Sequence, residues 1–318
     1  MSYRTIIKAA CTIALRYPTL LVAGFLVALI VGWGASSALN QLGESLVMDL
    51  PTQIASGRIP LRSLATNIIT TFNTKPVQAT LSVLIPLSII IFFILIAILA
   101  QGYLTLGTGA AVQGWFQRNV VWRRTKSRLT SLIGLAVLGQ IISKGFLALI
   151  TFISFVLIGA RTPEMGQIVF LVVFFVLGLP LGLAVSALTK VASVFLLVDK
   201  RSLSASLGGA IRLLLEHWLA AVEFIIVLFG LTIATGIVSV LTALLISTPS
   251  ILISIIAANS KAIGTAHFFE VIAVALTILV FLLGGTMIST TLTNSWTVFT
   301  LTARDGGISS WLKEKFQR

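Results

Sequence analysis

Two ionisable side chains, Lys144 and Glu223, lie inside long apolar stretches of this sequence. A charged side chain at the centre of a bilayer costs roughly 2.5–3.5 kcal/mol on insertion scales, so such residues often mark a path for a proton or a solute. Two structural interpretations compete with that function. Each side chain extends to the membrane surface or meets a helix end, or the two form an ion pair within the membrane.

Hydroxyl and amide side chains are concentrated in the last apolar stretch of the chain. They are Thr286, Ser289, Thr290, Thr291, Thr293, Asn294, Ser295 and Thr297. In lipid, such groups commonly form hydrogen bonds between helices. Alternatively they line one wall of a polar cavity, and Thr290 and Asn294 then join Lys144 and Glu223 as candidate intramembrane site residues.

The sequence has too few suitable residues for a zinc site, a disulfide or a phosphate-binding loop. The two histidines, His217 and His267, are predicted at opposite membrane faces, each near a single acid, and a zinc site needs three or four protein ligands. The single cysteine, Cys11, excludes an intramolecular disulfide. The glycine-rich segment 107–114 lacks the Lys-Ser/Thr pair of a phosphate-binding loop. The sequence therefore predicts no catalytic residue, no cofactor and no metal site.

The composition of the chain requires a membrane. Of its residues 57% are hydrophobic and 10% are charged, with a mean hydropathy of +1.08, which exceeds what a soluble core of this length buries. A helix that crosses about 30 Å of hydrocarbon needs roughly 20 apolar residues. Six runs have that length: 19–39, 79–100, 129–158, 167–198, 219–246 and 268–301. The predicted fold is all-α, a polytopic bundle of six transmembrane helices whose first run is retained and not cleaved as a signal peptide.

Positive charge is unevenly distributed over the loops between these runs. Of the 22 lysine and arginine residues, 16 lie on the side that holds both termini and five on the other. This bias predicts a multi-pass protein of the plasma (inner) membrane with cytoplasmic N- and C-termini. We expect anionic lipid headgroups to be contacted by the cations of RNVVWRRTKSR, namely Arg118, Arg123, Arg124, Lys126 and Arg128. One short loop beside a bilayer is too small to follow a phosphate backbone, so no nucleic-acid partner is expected.

Amphipathic segments precede the first and fifth runs. The first segment places on one helical face the residues Ile6, Ala10, Ile13 and Ala14. The second has a predicted N-cap at Ser202 or Ser204, and its apolar face comprises Leu203, Leu207, Ile211, Leu214, Leu215 and Trp218. The basic segment before the third run is a candidate for the same structure. We expect such helices to lie in the headgroup plane as elbows that lead into the spans.

An elbow followed by two spans suggests an internal repeat within a single transmembrane domain, 1–318. The three units would be 1–108, 109–199 and 200–318, although residue identity between them is slight. Further helices over 59–72 and at the C-terminus are expected to lie on the membrane surfaces. The ten apolar residues after Pro249 are too few to cross a bilayer, which predicts a short re-entrant or interfacial piece.

The passage ASVFLLVDKRSLSASLGGAIRLLLEHWLAAVEF is a span that ends in an acid, followed by an elbow and an aromatic residue at the entry to the next span. It resembles the six-span membrane domain attached to some bacterial glycerophosphodiester phosphodiesterases, and GYLTLGTGAAVQGW and TTLTNSWTVFTLTARDGG fit the same plan. The resemblance implies a helical fold in a bacterial plasma membrane. It transfers no catalytic residue, because the soluble phosphodiesterase domain has no counterpart in this sequence.

Three functions are compatible with these features. The first is a non-catalytic integral membrane protein that organises or binds lipids, or that interacts with a protein partner complex. The second is a permease-like transporter of a small solute or lipid, which Lys144, Glu223 and the polar last run would serve. The third is a lipid enzyme within the membrane. A water-accessible central cavity would favour transport, a filled centre would favour the first function, and a lateral groove rimmed by cations would favour lipid binding.

Overall fold

A computed structural model describes residues 2–42, 76–139, 141–142 and 182–307. The regular secondary structure in these ranges is helical, which confirms the predicted all-α class. The helices are α1 (Tyr3–Arg16), α2 (Pro18–Leu42), α3 (Pro76–Val112), α4 (Arg118–Ser127), α5 (Leu129–Gly139), α6 (Gly182–Leu197), α7 (Leu203–Glu216), α8 (Trp218–Asn259) and α9 (Ile263–Arg304). The predicted surface helices at 59–72 and at the C-terminus lie outside the described residues.

Three of these helices are long and apolar enough to cross a membrane, namely the Ile91–Val112 part of α3, α8 and α9. The pair α1–α2 is a fourth candidate, bent by 101° at Tyr17. Helices α5 and α6 are shorter apolar pieces that belong to the predicted third and fourth runs, whose other residues fall mostly outside the described ranges. The described residues therefore form a helical bundle of membrane type, and the count of six spans stays a prediction.

The predicted re-entrant piece after Pro249 is wrong. Helix α8 continues through Pro249 to Asn259, and α9 begins at Ile263 after a short turn. Each helix has 42 residues, or roughly 63 Å at a rise of about 1.5 Å per residue. The ten apolar residues extend an existing helix because its buried face continues through Ser250, Ser254 and Ala257, and the Ser254 hydroxyl donates to Glu270 of α9 at 3.3 Å.

Helices α8 and α9 pack side by side through small side chains. The buried positions in the second half of α8 are Ser239, Ala243, Ser247, Ser250, Ser254 and Ala257. At Gly284 of α9, an added Cβ would lie 2.3 Å from the Ser239 hydroxyl oxygen, so the two backbones approach closely there. The outward faces are large and apolar, as lipid-facing surface should be, and Leu245 and Ile256 are 77% and 67% exposed.

Three short helices each precede an apolar helix after one non-helical residue. Helix α1 meets α2 at Tyr17, α4 meets α5 at Arg128, and α7 meets α8 at His217. The predicted N-cap of α7 is present, since the Ser202 hydroxyl accepts a hydrogen bond from the Ala205 backbone N–H at 3.4 Å. The helical state of the three elbow segments is confirmed, and the three-unit repeat stays a prediction.

The elbow helices differ in which face they turn to the bundle. Helix α1 buries the predicted face, with Ile6, Ala10 and Ala14. Helix α7 buries a face of mostly small side chains, namely Ser206, Ala210 and Leu213. Ile211 and Leu215 of its predicted apolar face are instead 47% and 69% exposed. Leu203, Leu207 and Leu214 of that predicted face are partly buried against the core, so only part of the apolar face is exposed.

Charged residues from three parts of the chain meet at one end of the bundle. The Arg128 guanidinium donates to the backbone carbonyls of Lys200 and Arg201 at 3.1 and 3.5 Å, and Arg304 Nη1 lies 2.8 Å from Asp199 Oδ1. These contacts bring together the ends of α4, α6 and α9. We call this part of the molecule, defined by these five residues, the basic end.

Candidate functional site

Glu223 lies in the second turn of α8, beside the beginning of the chain. The Tyr3 hydroxyl of α1 donates a hydrogen bond to Glu223 Oε2, and the Tyr3 ring centroid lies 5.9 Å from that of Phe224. The carboxylate thus connects α1 to α8. Lys144 falls outside the described residues, so the Lys144–Glu223 ion pair stays a prediction.

Asn294 is fully buried where three helices meet. Its Oδ1 accepts a hydrogen bond from the Thr108 hydroxyl of α3 at 2.5 Å, and its Nδ2 donates to the Ala10 backbone carbonyl of α1 at 3.3 Å. One amide therefore joins α9 to both α3 and α1. This is the interhelical hydrogen bonding that was one interpretation of the polar last run.

Thr290 is also fully buried, one turn before Asn294. Its hydroxyl donates to the Thr286 backbone carbonyl of its own helix at 2.8 Å. Gly24 of α2 lies so close that an added Cβ would be 1.8 Å from Thr290 Oγ1. Thr290 therefore fills the contact between α2 and α9, and that contact requires a residue without a side chain at position 24.

Aromatic rings fill the space between α8 and α9 near the basic end. The Phe224 and Phe299 rings stack with centroids 4.6 Å apart, and Trp296 packs edge-on against them at 5.2 and 5.5 Å. Neither Thr290 nor Asn294 lines any of the three cavities described below. These two candidate residues lie in a packed region of the bundle.

A lateral groove of about 520 Å³ lies between α2, α3 and α4. Its aliphatic part is lined by Val22 and Leu26 of α2 and by Ile96 and Leu99 of α3. Val22 is 61% exposed, so the groove is open on the side of the bundle. Its volume is within the roughly 300–1,000 Å³ usual for ligand pockets.

The groove has polar residues at one end only. Its lining there includes Arg118, Asn119 and Trp122 from the first turns of α4. The Tyr103 hydroxyl donates to Thr19 Oγ1 at 3.3 Å, and the Tyr103 and Trp122 ring centroids are 6.2 Å apart. Backbone N–H groups in the first turn of a helix have no partner within it, and the helix dipole favours an anion there. The groove thus combines an apolar channel with a cationic end.

The five cations of the RNVVWRRTKSR segment have different surroundings. Arg118, Arg123 and Lys126 are exposed. The Arg124 guanidinium lies over the Trp115 ring, 4.7 Å from its centroid, and Arg128 binds carbonyls at the basic end. Because Arg118 alone of the five lines the groove, it is the cation best placed for a specific headgroup contact.

Lys190 is a candidate residue that the sequence interpretation missed. It lies within α6 and lines a second cavity, of about 410 Å³, between α3, α5 and α6. It also borders a third cavity, of about 240 Å³, whose lining includes Ser289 and Thr293 of the polar last run. Counting charges by loop had assigned Lys190 to the cytoplasmic side. The sequence feature that could have identified Lys190 as an intramembrane candidate is its position inside the apolar run 167–198, nine residues before Asp199.

Comparison of the chain with models of protein families, with curated proteins and with solved structures finds no significant match. The resemblance to the membrane domains of glycerophosphodiester phosphodiesterases therefore stays a prediction.

Proposed function

We propose that this chain is a non-catalytic integral protein of the plasma membrane that holds an anionic phospholipid in the groove between α2, α3 and α4. In this proposal the chain has six spans, and the basic end faces the cytoplasm with both termini. The single observation that carries the proposal is an aliphatic groove, open to the side, with Arg118 at one end.

The two parts of the groove suit the two parts of a phospholipid. An acyl chain would lie along Val22, Leu26 and Ile96, and the headgroup phosphate would lie at Arg118 and Asn119. Leu26 is seven residues beyond Thr19 in α2, so the apolar part extends roughly 10 Å from the polar end.

Headgroup contact would decide which lipid is bound. An acyl chain that enters the groove leaves surroundings that are equally apolar, so it gains little from the hydrophobic effect. A lysine or arginine near the membrane surface contributes about 1 kcal/mol to the attraction of an anionic lipid. Selectivity for an anionic over a zwitterionic phospholipid would therefore depend mainly on Arg118.

The surroundings of the other candidate residues support a function without transport. A permease would need a water-filled path beside Glu223, Thr290 and Asn294. The hydrogen bonds of Asn294 and the close contact of Thr290 with Gly24 favour structural roles for both residues. A lipid enzyme would need several reactive side chains in the groove, and its described lining has one charged residue, Arg118.

The proposal is tested by comparing Arg118→Gln with Arg123→Gln in bilayer nanodiscs of phosphatidylcholine with a minor fraction of phosphatidylglycerol. Both variants remove one exposed cation from the same helix, and only Arg118 lines the groove. Native mass spectrometry counts the phosphatidylglycerol that stays bound. We expect Arg118→Gln to lower the affinity about fivefold, the equivalent of about 1 kcal/mol.

The control variant separates a site from general surface charge. Arg123→Gln is expected to retain phosphatidylglycerol as the unmodified protein does. An equal loss in both variants would mean that the basic helix attracts anionic lipid without a specific site. Full retention by Arg118→Gln would also contradict the proposal.

A further inference from the structure

We propose that the cavity between α3, α5 and α6 is a second binding site, which takes a phosphate group through Lys190 and Gln101. It shares no lining residue with the lipid groove, because the two use different positions of α3. The inference is therefore independent of the groove and its lipid.

Close helix contacts frame the cavity and leave it open between them. An added Cβ at Gly102 of α3 would lie 2.7 Å from Leu132 of α5, and one at Gly139 of α5 would lie 2.6 Å from Thr189 of α6. Helix α5 thus touches both neighbours directly where glycine allows it. The remaining space of about 410 Å³ is a defined feature of three packed helices.

The side chains that line the cavity include few donors that are not already used. The hydroxyls of Thr105, Thr189 and Ser193 donate to backbone carbonyls of their own helices at 3.1, 2.8 and 2.6 Å. Lys190 and Gln101 offer N–H donors from two different walls, since they belong to α6 and α3. Donors on different helices suit an anion with several oxygens, and an ammonium group is a common partner of phosphate.

The charge of Lys190 lacks a carboxylate partner within the described part of the chain. None of the ion pairs among residues 2–42, 76–139 and 182–307 includes it. Of the four acids outside the described residues, Glu44, Asp49 and Glu164 are predicted on the opposite side of the membrane, and Glu314 belongs to the C-terminal helix predicted on the membrane surface. An unpaired charge within an apolar bundle is unfavourable, and a bound anion would compensate it.

The position of Lys190 allows two sources for the phosphate group. Lys190 lies nine residues before Asp199 of the basic end, or roughly 13 Å along the helix. A phospholipid headgroup drawn inward from the membrane surface would reach it, and so would a free phosphate ion from the water at the basic end. Both present the same oxygens to Lys190 and Gln101.

The experiment uses the full chain in phosphatidylcholine nanodiscs and has two arms. Inorganic phosphate is titrated by calorimetry in the first arm. In the second arm a minor fraction of phosphatidylglycerol is added to the nanodiscs and its retention is measured by native mass spectrometry, with every variant in a Val22→Trp background that closes the groove between α2, α3 and α4. The variants are Lys190→Gln, Lys190→Arg and Gln101→Leu, with Lys200→Gln as a matched control that removes an exposed lysine of the basic end. Binding in the first arm identifies free phosphate as the ligand, and binding in the second alone identifies a lipid headgroup.

We expect Lys190→Gln to weaken binding at least tenfold in the arm that shows it, with Lys190→Arg and Lys200→Gln close to the unmodified protein. Circular dichroism and monodispersity report whether each variant folds. If Lys190→Gln fails to fold, Gln101→Leu carries the test, with a smaller loss of affinity expected. Unchanged binding in the variant that folds overturns the proposal, and so does the absence of binding in both arms.

Discussion

The hydrogen bond between Thr108 and Asn294 allows a direct measurement of what holds the centre of the bundle together. Both residues are fully buried, 186 positions apart in sequence, and their side chains meet at 2.5 Å. Thr108→Val keeps the shape of the side chain and removes the hydroxyl. Asn294→Leu removes the amide and with it the bond to the Ala10 carbonyl. The two variants and their combination form a double-mutant cycle.

The magnitude expected for this bond is modest. Hydrogen bonds between membrane helices average about 0.6 kcal/mol and reach about 1.7 kcal/mol in such cycles, because the unfolded chain in a membrane also finds partners. We expect the Thr108–Asn294 coupling energy to lie between this average and this maximum, since both side chains are buried and the distance between Thr108 Oγ1 and Asn294 Oδ1 is short. Asn294→Leu alone is expected to lower the free energy of unfolding by about 1–3 kcal/mol, because it also leaves a buried hydroxyl without its partner.

Unfolding in mixed micelles with increasing dodecyl sulfate, followed by circular dichroism, gives the four free energies. Thr300→Val is the matched control, because Thr300 is equally buried but donates to the Trp296 carbonyl of its own helix. Its combination with Asn294→Leu is expected to be additive within about 0.5 kcal/mol. A Thr108–Asn294 coupling as small as this control would refute the assignment of Asn294 as a link between helices.

Two further predictions concern contacts seen in the fold. Gly24→Ala is expected to lower the free energy of unfolding by about 1–3 kcal/mol, because the new methyl group would overlap Thr290. Gly236→Ala is the control, since nothing lies within 4 Å of its added Cβ, and an equal loss in both would contradict the reasoning. Arg128→Gln is expected to destabilise the same unfolding transition by about 1 kcal/mol through its lost bonds to two carbonyls. Arg123→Gln is expected to leave the unfolding transition unchanged. The dodecyl sulfate concentrations at the two unfolding midpoints are compared, and equal midpoints for the two variants would contradict the prediction.

The sequence was sufficient for features that depend on local pattern. Apolar runs with the length of a membrane span predicted helices because a backbone in lipid must satisfy its hydrogen bonds internally. The elbow helices followed from helical spacing of apolar residues and, for α7, from a serine N-cap that the structure contains at Ser202. Single residues such as Tyr17 and His217 mark the breaks between elbow and long helix.

Features that depend on contacts between distant segments were beyond prediction. The partners of Asn294 lie 186 and 284 positions away, and no local pattern reports such distances. The end of α8 was misjudged because ten apolar residues were weighed as a separate piece when they continue a helix past Pro249. On α7, hydrophobicity identified the apolar face but not the residues most buried against the bundle, which are Ser206, Ala210 and Leu213.

The groove between α2, α3 and α4 illustrates the same limit. Its lining comes from α2, α3 and the start of α4, so residues as far apart as Val22 and Arg118 contribute to one site. The sequence identified Arg118 as one of five equivalent cations. Only the packing of α4 beside α2 and α3 distinguishes it from Arg123, which is exposed away from the groove.

Photo-crosslinking tests most directly whether a phospholipid occupies the groove. The protein is reconstituted with phosphatidylglycerol that has a photoreactive diazirine in one acyl chain, and the labelled residues are mapped by mass spectrometry. We predict that the label concentrates on Val22, Leu26 and Leu99 and is lost in Val22→Trp. Val238→Trp, at a position of matching exposure on α8 (60% against 61%), is expected to retain it. Label spread evenly over lipid-facing residues of α8 and α9, or unaffected by Val22→Trp, would contradict the account.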